Sequence, residues 1–192
     1  IGRRHSVRDF YNAYELVRKS RIPVVNVDLI IGLPQETEQE IAYSLEQAVK
    51  LAPENLTVHT LTLKRSAPLF QKQEQAVLTT QAAEKMVQRA AEMAAAIGLE
   101  PYYLYRQHYM LGHLANIGYA KPGTESIYNI QMMEERHPVI GVGPASASKV
   151  PLPDGHHLHK LNMPKNVAVY RARLQELAER RRDLFNIEGT DL

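Results

Sequence analysis

The chain has 192 residues, of which 44% are hydrophobic and 23% charged, with a mean hydropathy of −0.34. These values exclude a disordered tail, a collagen-like repeat and a membrane-embedded protein. Its 23 Lys and Arg against 21 Asp and Glu leave a formal charge of +2, which gives no basic surface for nucleic acid. The absence of cysteine excludes disulfides, thiolate zinc sites and a Cys-ligated iron–sulfur cluster held by these residues. There is no charged segment leading into an apolar signal core, and no apolar run near the roughly 18 residues of a spanning helix, so a cytoplasmic chain is expected. A start at Ile1 without initiator Met, with a helix ahead of the first strand, reads as a piece of a longer protein.

Ser6 and Asp9 ahead of Phe10, Tyr14 and Val17 carry a cap signal and a helical period, predicting a helix over 6–20 closed before Pro23. The β-branched run 24–31, ended by Gly32 and Pro34, predicts a buried strand. Thr37 with Glu40, then Ile41, Leu45, Ala48 and Val49, predicts a helix over 37–51, stopped by Pro53. Leu56 to Leu63 reads as a second strand. Two such strands joined by a crossover helix make a right-handed parallel βαβ unit, whose ligands sit at the C-terminal strand ends, where Asp28 and the stretch 60–63 fall.

An Ala-rich helix is expected over 74–97, with Met86, Ala90, Met93, Ala94 and Ile97 on its core face and Gly98 past its end. Tyr102, Tyr103 and Tyr105 suggest a strand, Pro122-Gly123 a turn and Val139 to Val142 a short strand. Pro153-Asp154-Gly155 reads as the tip of a hairpin joining 147–151 to 157–161. A final helix is expected over 164–185 with Val167, Tyr170, Leu174, Leu177 and Leu184 inward. The composition shift near 98 divides a βα region, 1–98, from a smaller α+β region, 99–192. Arg171 to Arg182 is interleaved with Glu176 and Glu179 at helical spacing and reads as a solvated face, with phosphate binding the minor alternative.

Asp28 stands in a strand otherwise made of Val, Leu and Ile, where a carboxylate needs a partner. It serves either a structural ion pair or hydrogen bond, or a ligand at the strand mouth, with Asn26 on the same face. The run Gly141 to Ser148 is almost free of side chains, which suits either a backbone approaching a ligand or tight strand packing. His156, His157 and His159 follow a turn; His157 and His159 share a strand face, a weak metal site at most, and incidental tip histidines are the preferred reading. His59 is either a satisfied buried histidine or a ligand contact.

Asn26-Val27-Asp28-Leu29-Ile30-Ile31-Gly32-Leu33-Pro34 resembles the N-x-D-L-I-x-G-L-P motif of the radical SAM family of oxygen-independent coproporphyrinogen III oxidases and dehydrogenases. Gly2-Arg3-Arg4-His5 resembles that family's G-R-x-H segment. Tyr119-Ala120-Lys121-Pro122-Gly123 with Ser126 and Asn129, then Gly141-Val142-Gly143, resembles its C-terminal segments, and the similarity spans about 150 residues. Ile127 to Gln131 points to the HemZ-type branch. The related haem-chaperone branch has His before the Asn and Tyr-Trp after it, where this chain has Tyr128 and Met132-Met133.

The resemblance implies a fold class of α/β type, the C-terminal part of a partial (β/α)6 radical SAM barrel followed by a small α+β region. It implies an enzyme of haem biosynthesis that oxidatively decarboxylates coproporphyrinogen III to protoporphyrinogen IX, with a tetrapyrrole substrate, S-adenosylmethionine and a [4Fe-4S] cluster. The cluster ligands are not in this chain, which is expected to be inactive alone. By the same resemblance Arg3, Asp28 and Thr62 match positions that contact S-adenosylmethionine, and Ala147 a position against a second molecule of it. A haem-binding carrier of the same family and a non-catalytic interaction module are the alternatives. With the earlier barrel strands absent, the edge of the strand at 24–30 is expected to be unpaired and to drive self-association.

Overall fold

Reciprocal caps start both of the first two helices in the computed structural model of the chain, which describes residues 4–62, 79–106 and 114–186. In α1 (Val7–Lys19) the Asp9 amide donates to Ser6 Oγ at 3.2 Å while the Ser6 amide donates to Asp9 Oδ2 at 2.8 Å. In α2 (Glu38–Lys50) Thr37 and Glu40 make the same exchange. Two compact units follow, Ile1–Ser126 and Ile127–Leu192.

The first unit is a four-stranded sheet with helices packed on one face. β1 (Asn26–Ile31) and β2 (Asn55–Thr60) pair in parallel with Asp28 opposite Thr57. This is the arrangement a crossover helix between two apolar strands requires. β3 (Glu100–Tyr105) and β4 (Asn116–Ala120) complete the order β1-β2-β4-β3, with β4 antiparallel to both neighbours. Val27, Ile31, Leu56 and Val58 face Ile41 and Leu45 of α2 and Met86, Ala90 and Ala94 of α3 (Thr80–Ala96) in one core. Small alanines let α3 lie close to the sheet, and Gly98, at φ +76°, ends it in a Schellman turn in which the Leu99 amide reaches Ala94 O at 3.0 Å. The expected start of this helix at 74–78 lies outside the described residues.

Three expectations are corrected here. The strand at 24–31 is not buried on both faces: Val27 and Ile31 are covered while Asn26 and Asp28 are exposed, because among the described residues β1 is an edge strand with helices on one face of its sheet. β4 was not expected. It lies within the first compact unit, which runs to Ser126. α4 (Ile127–Glu134), with no buried residue and no apolar stripe, was not expected either.

α1 contributes no fully buried side chain; Tyr14 packs against the core, and polar contacts add to its hold. Tyr14 Oη donates to Leu51 O at 2.8 Å, and Arg18 Nη1 donates to Glu54 Oε2 at 2.6 Å. Glu54 also accepts from the Val25 amide at 3.1 Å. Its burial would raise the carboxyl pKa, but the Arg18 and Val25 contacts outweigh that and hold it below the usual carboxylate range. A depressed folded-state pKa contributes stability above the unfolded-state value that is lost as pH falls through the folded one. Glu54→Gln is therefore expected to cost about 2 kcal/mol at neutral pH and to flatten the acid limb. Denaturant midpoints measured from pH 7 to pH 3 check this; parallel curves for the two proteins would refute it.

In the second unit β5 (Ala147–Pro151) and β6 (Leu158–Asn162) form the expected hairpin. The segment 139–142 supplies a single bridge, Val139 with Lys149, rather than a strand. The final helix is interrupted at Arg173 into α5 (Val167–Ala172) and α6 (Leu174–Phe185). Leu177 packs with Leu161 and Met163, and Tyr170 and Leu184 flank them. Val167 and Leu174, expected inward, are exposed, since the interruption breaks the single stripe. Glu176 pairs with Arg173 and Arg180, in keeping with a solvated face.

Candidate functional site

Alternation along β1 and β2 puts Asn26, Asp28, Thr57 and His59 on the face opposite the helices. Tyr103 joins them from β3 because Gly118 on β4 leaves room for its ring. Asp28, expected buried, is 62% exposed in its side chain. Its Oδ1 accepts from Asn26 Nδ2 at 2.7 Å, and His59 Nε2 lies 3.7 Å from the same oxygen. The His59 ring first, then the Asn26 amide, hold this carboxyl below the usual carboxylate range against partial desolvation. The partner that a carboxylate in this strand needs is thus local, and the carboxylate still opens to solvent.

At the C-terminal ends of β1 and β2 a cavity of about 670 Å³ is lined by Asp28, His59, Thr60, Thr62, Tyr105 and Asn116, among others. The Thr60 amide donates to Asn116 Oδ1 at 2.8 Å, while Thr60 Oγ1 is buried and has no hydrogen-bond partner among the described residues. Thr62 Oγ1 lies 3.5 Å from Thr60 O. Below them Glu36 accepts from the Gly32 and Leu33 amides at 2.9 Å each, and burial raises its pKa. Carboxylate, hydroxyls, imidazole and phenol around one mouth suit a small ligand bearing amino and hydroxyl groups, in a cavity of ordinary size for one.

Asp28 and Thr62 therefore meet at one cavity. Arg3 lies outside the described residues. Ala147 sits half-buried in β5 of the second unit. His59, for which a ligand contact was one of two readings, and Thr60, within the stretch placed at the strand ends, line the cavity, whereas Tyr105 and Asn116 were not singled out as site residues. Asn116 escaped notice with the rest of β4. At the hairpin tip, Asp154 accepts from the His156 and His157 amides and meets His157 Nδ1 at 2.7 Å, which lowers its pKa to about 2. Asp154 and the histidines thus build a turn. Among the described residues no group of three His, Cys, Asp or Glu is placed to hold a metal ion, and no helix is long and apolar enough to cross a membrane.

In the first unit a parallel βαβ unit with a polar strand mouth is continued by antiparallel strands. Coproporphyrinogen III oxidase (HemN) from Escherichia coli, a radical SAM enzyme, matches with a TM-score of 0.60 at 17% identity, over 90% of this chain and 39% of that one. The chain is 40% identical over 180 residues to the oxygen-independent coproporphyrinogen-III oxidase-like protein HemZ of Bacillus subtilis, covering 93% of this chain and 36% of the relative. It is 26% identical over 158 residues to the haem chaperone HemW of Escherichia coli, covering 82% of this chain and 38% of the relative. No family profile matches the chain. The chain belongs to the HemZ-type radical SAM family, and it spans little more than a third of the length of these relatives.

Proposed function

We propose that the chain is part of a full-length radical SAM protein of haem biosynthesis that converts coproporphyrinogen III, its share being to hold S-adenosylmethionine at the mouth of β1 and β2. The observation that carries this reading is the coincidence of the N-x-D segment, shared with the family, with a polar cavity at the strand ends. Asp28 would accept from an amino group or ribose hydroxyl of the ligand, Thr62 would line its far side, and Arg3 would meet its carboxylate. Ala147 would bound a second molecule of it. A [4Fe-4S] cluster does not fit these residues: the chain has no cysteine, and its described residues present no metal-binding group. When bound, S-adenosylmethionine would supply radical chemistry on receiving an electron from a cluster held elsewhere in the full-length protein, and this chain's residues would orient it.

Asp28→Ala in the full-length protein is expected to weaken S-adenosylmethionine binding about tenfold or more. The fold should persist, because Asp28 takes no part in the hydrophobic core of its unit. Arg3→Ala should act alike. The similarity to HemW supports a second reading, a haem carrier on the same scaffold. A paired titration with haem and S-adenosylmethionine on wild type and both variants, beside an assay of coproporphyrinogen III conversion, separates the two. Tight haem binding indifferent to both substitutions, without turnover, would replace the enzyme with the carrier.

A further inference from the structure

One rung of residues crosses the whole sheet: Asp28 on β1 pairs with Thr57 on β2, Thr57 with Gly118 on β4, and Gly118 with Tyr103 on β3. Thr57, 3% exposed, is the buried root of a short chain of hydrogen bonds. Its Oγ1 donates to Asn26 Oδ1 at 3.0 Å, and Asn26 Nδ2 donates to Asp28 Oδ1 at 2.7 Å. The direction of this chain is dictated by chemistry. An ionised carboxylate only accepts, so Asn26 must turn its NH₂ toward Asp28, and the proton donated by Thr57 settles the other end of the amide the same way. A reversed amide would set two oxygens against each other at Asp28.

Asn26 and Asp28 are both exposed, so this contact builds no core. It restrains an exposed carboxylate that would otherwise rotate, which costs side-chain entropy. Such restraint serves a group that must meet a ligand in one orientation. We propose that Asn26, anchored by Thr57, is a positioning residue that presents the Asp28 carboxylate to the amino or hydroxyl groups of the ligand at the strand mouth. This rests on the reading of Asp28 as a ligand contact. The titratable groups that face Asp28 from neighbouring strands, among the described residues, are His59 of β2 and Tyr103 of β3.

The test uses Thr57→Val, which keeps the shape and removes the donor, Thr57→Ser, which restores it, and Asn26→Ala, which removes the amide at an exposed position. The first measurement is the titration midpoint of Asp28 from its carboxyl ¹³C resonance in the 192-residue chain. The second is S-adenosylmethionine affinity in the full-length protein. Thr57→Val and Asn26→Ala are expected to raise the midpoint and weaken binding about fivefold, and Thr57→Ser to stay close to wild type in both. A midpoint unmoved in Thr57→Val and Asn26→Ala overturns the proposal. A moved midpoint with unchanged affinity, where Asp28→Ala does weaken binding, overturns it as well. If the midpoint moves and even Asp28→Ala leaves the affinity unchanged, the hydrogen-bond chain stands and the ligand reading of Asp28 falls instead.

Discussion

Gly141→Ala is expected to destabilise the second unit by about 3 kcal/mol or more, because a Cβ there meets backbone rather than a side chain. The added carbon would lie 2.5 Å from Ala147 O, 2.6 Å from its carbonyl carbon and 2.9 Å from its nitrogen. No rotamer can yield, so one of the two segments must move. Moving 141 breaks two bonds that pin it: its amide donates to the buried Ser148 Oγ at 3.0 Å, and its carbonyl accepts from Arg181 Nη1 at 3.1 Å. Moving 147 disturbs the β5–β6 ladder, where Ala147 pairs with Asn162. Gly143→Ala is the control. Gly143 has φ +93° and nothing within 4 Å of a Cβ, so it should cost only the backbone strain, about 1 kcal/mol. Hydrogen exchange of the β5 and β6 amides, with denaturant midpoints, measures both. Equal effects of the two substitutions would show that the close approach at 141 is not what requires the glycine.

Gly141 also shows what the sequence could and could not tell. A run without side chains suits a ligand or a neighbouring strand equally, and the choice depends on a contact six residues away that no local pattern encodes. Here the chain's own backbone takes the space at Gly141. α1 and α2 were legible because a capping box is a local device, complete within four residues. The parallel pairing of β1 with β2 followed from two apolar runs and the helix between them. β4 was not legible: Asn116-Ile117-Gly118-Tyr119-Ala120 is short and interrupted by a glycine whose purpose lies across the sheet, under Tyr103. The exposure of Asp28 was misjudged for the same reason, since which face of a strand is covered is a tertiary property. Asp28 stood out as a carboxylate in an apolar run and Thr62 was singled out by the family resemblance; both line the cavity, although Asp28 lies in the middle of β1 and not at its end. His59 stayed open because its place near Asp28 depends on the register, and Asn116 because its strand was missed.

Gly118→Ala is the second substitution with a large expected effect, and its sign should depend on Tyr103. A Cβ at 118 would lie 1.9 Å from Tyr103 Cε1, 2.4 Å from Cδ1 and 2.7 Å from Cζ, so the ring must leave its place over β4. That ring is half-buried and stands in the same rung as Thr57 and Asp28, and burial raises the pKa of its phenol while a hydrogen bond with Thr57 opposes the rise. Displacing it gives up apolar contact, the Thr57 contact and its stack with Tyr105, whose centroid is 6.4 Å away. Overpacking of this kind costs about 3 kcal/mol at the upper end of its usual range. In a Tyr103→Ala background the obstacle is gone. Gly118 does not have a left-handed backbone, so alanine there should be neutral or stabilising by about 0.5 kcal/mol, as alanine is over glycine inside a strand. The double-mutant cycle, read from denaturant midpoints, should therefore return a coupling of more than about 2 kcal/mol with a reversal of sign. A similar loss in both backgrounds would mean that Gly118 is required by something other than the Tyr103 ring, and that the rung is not held from its far end.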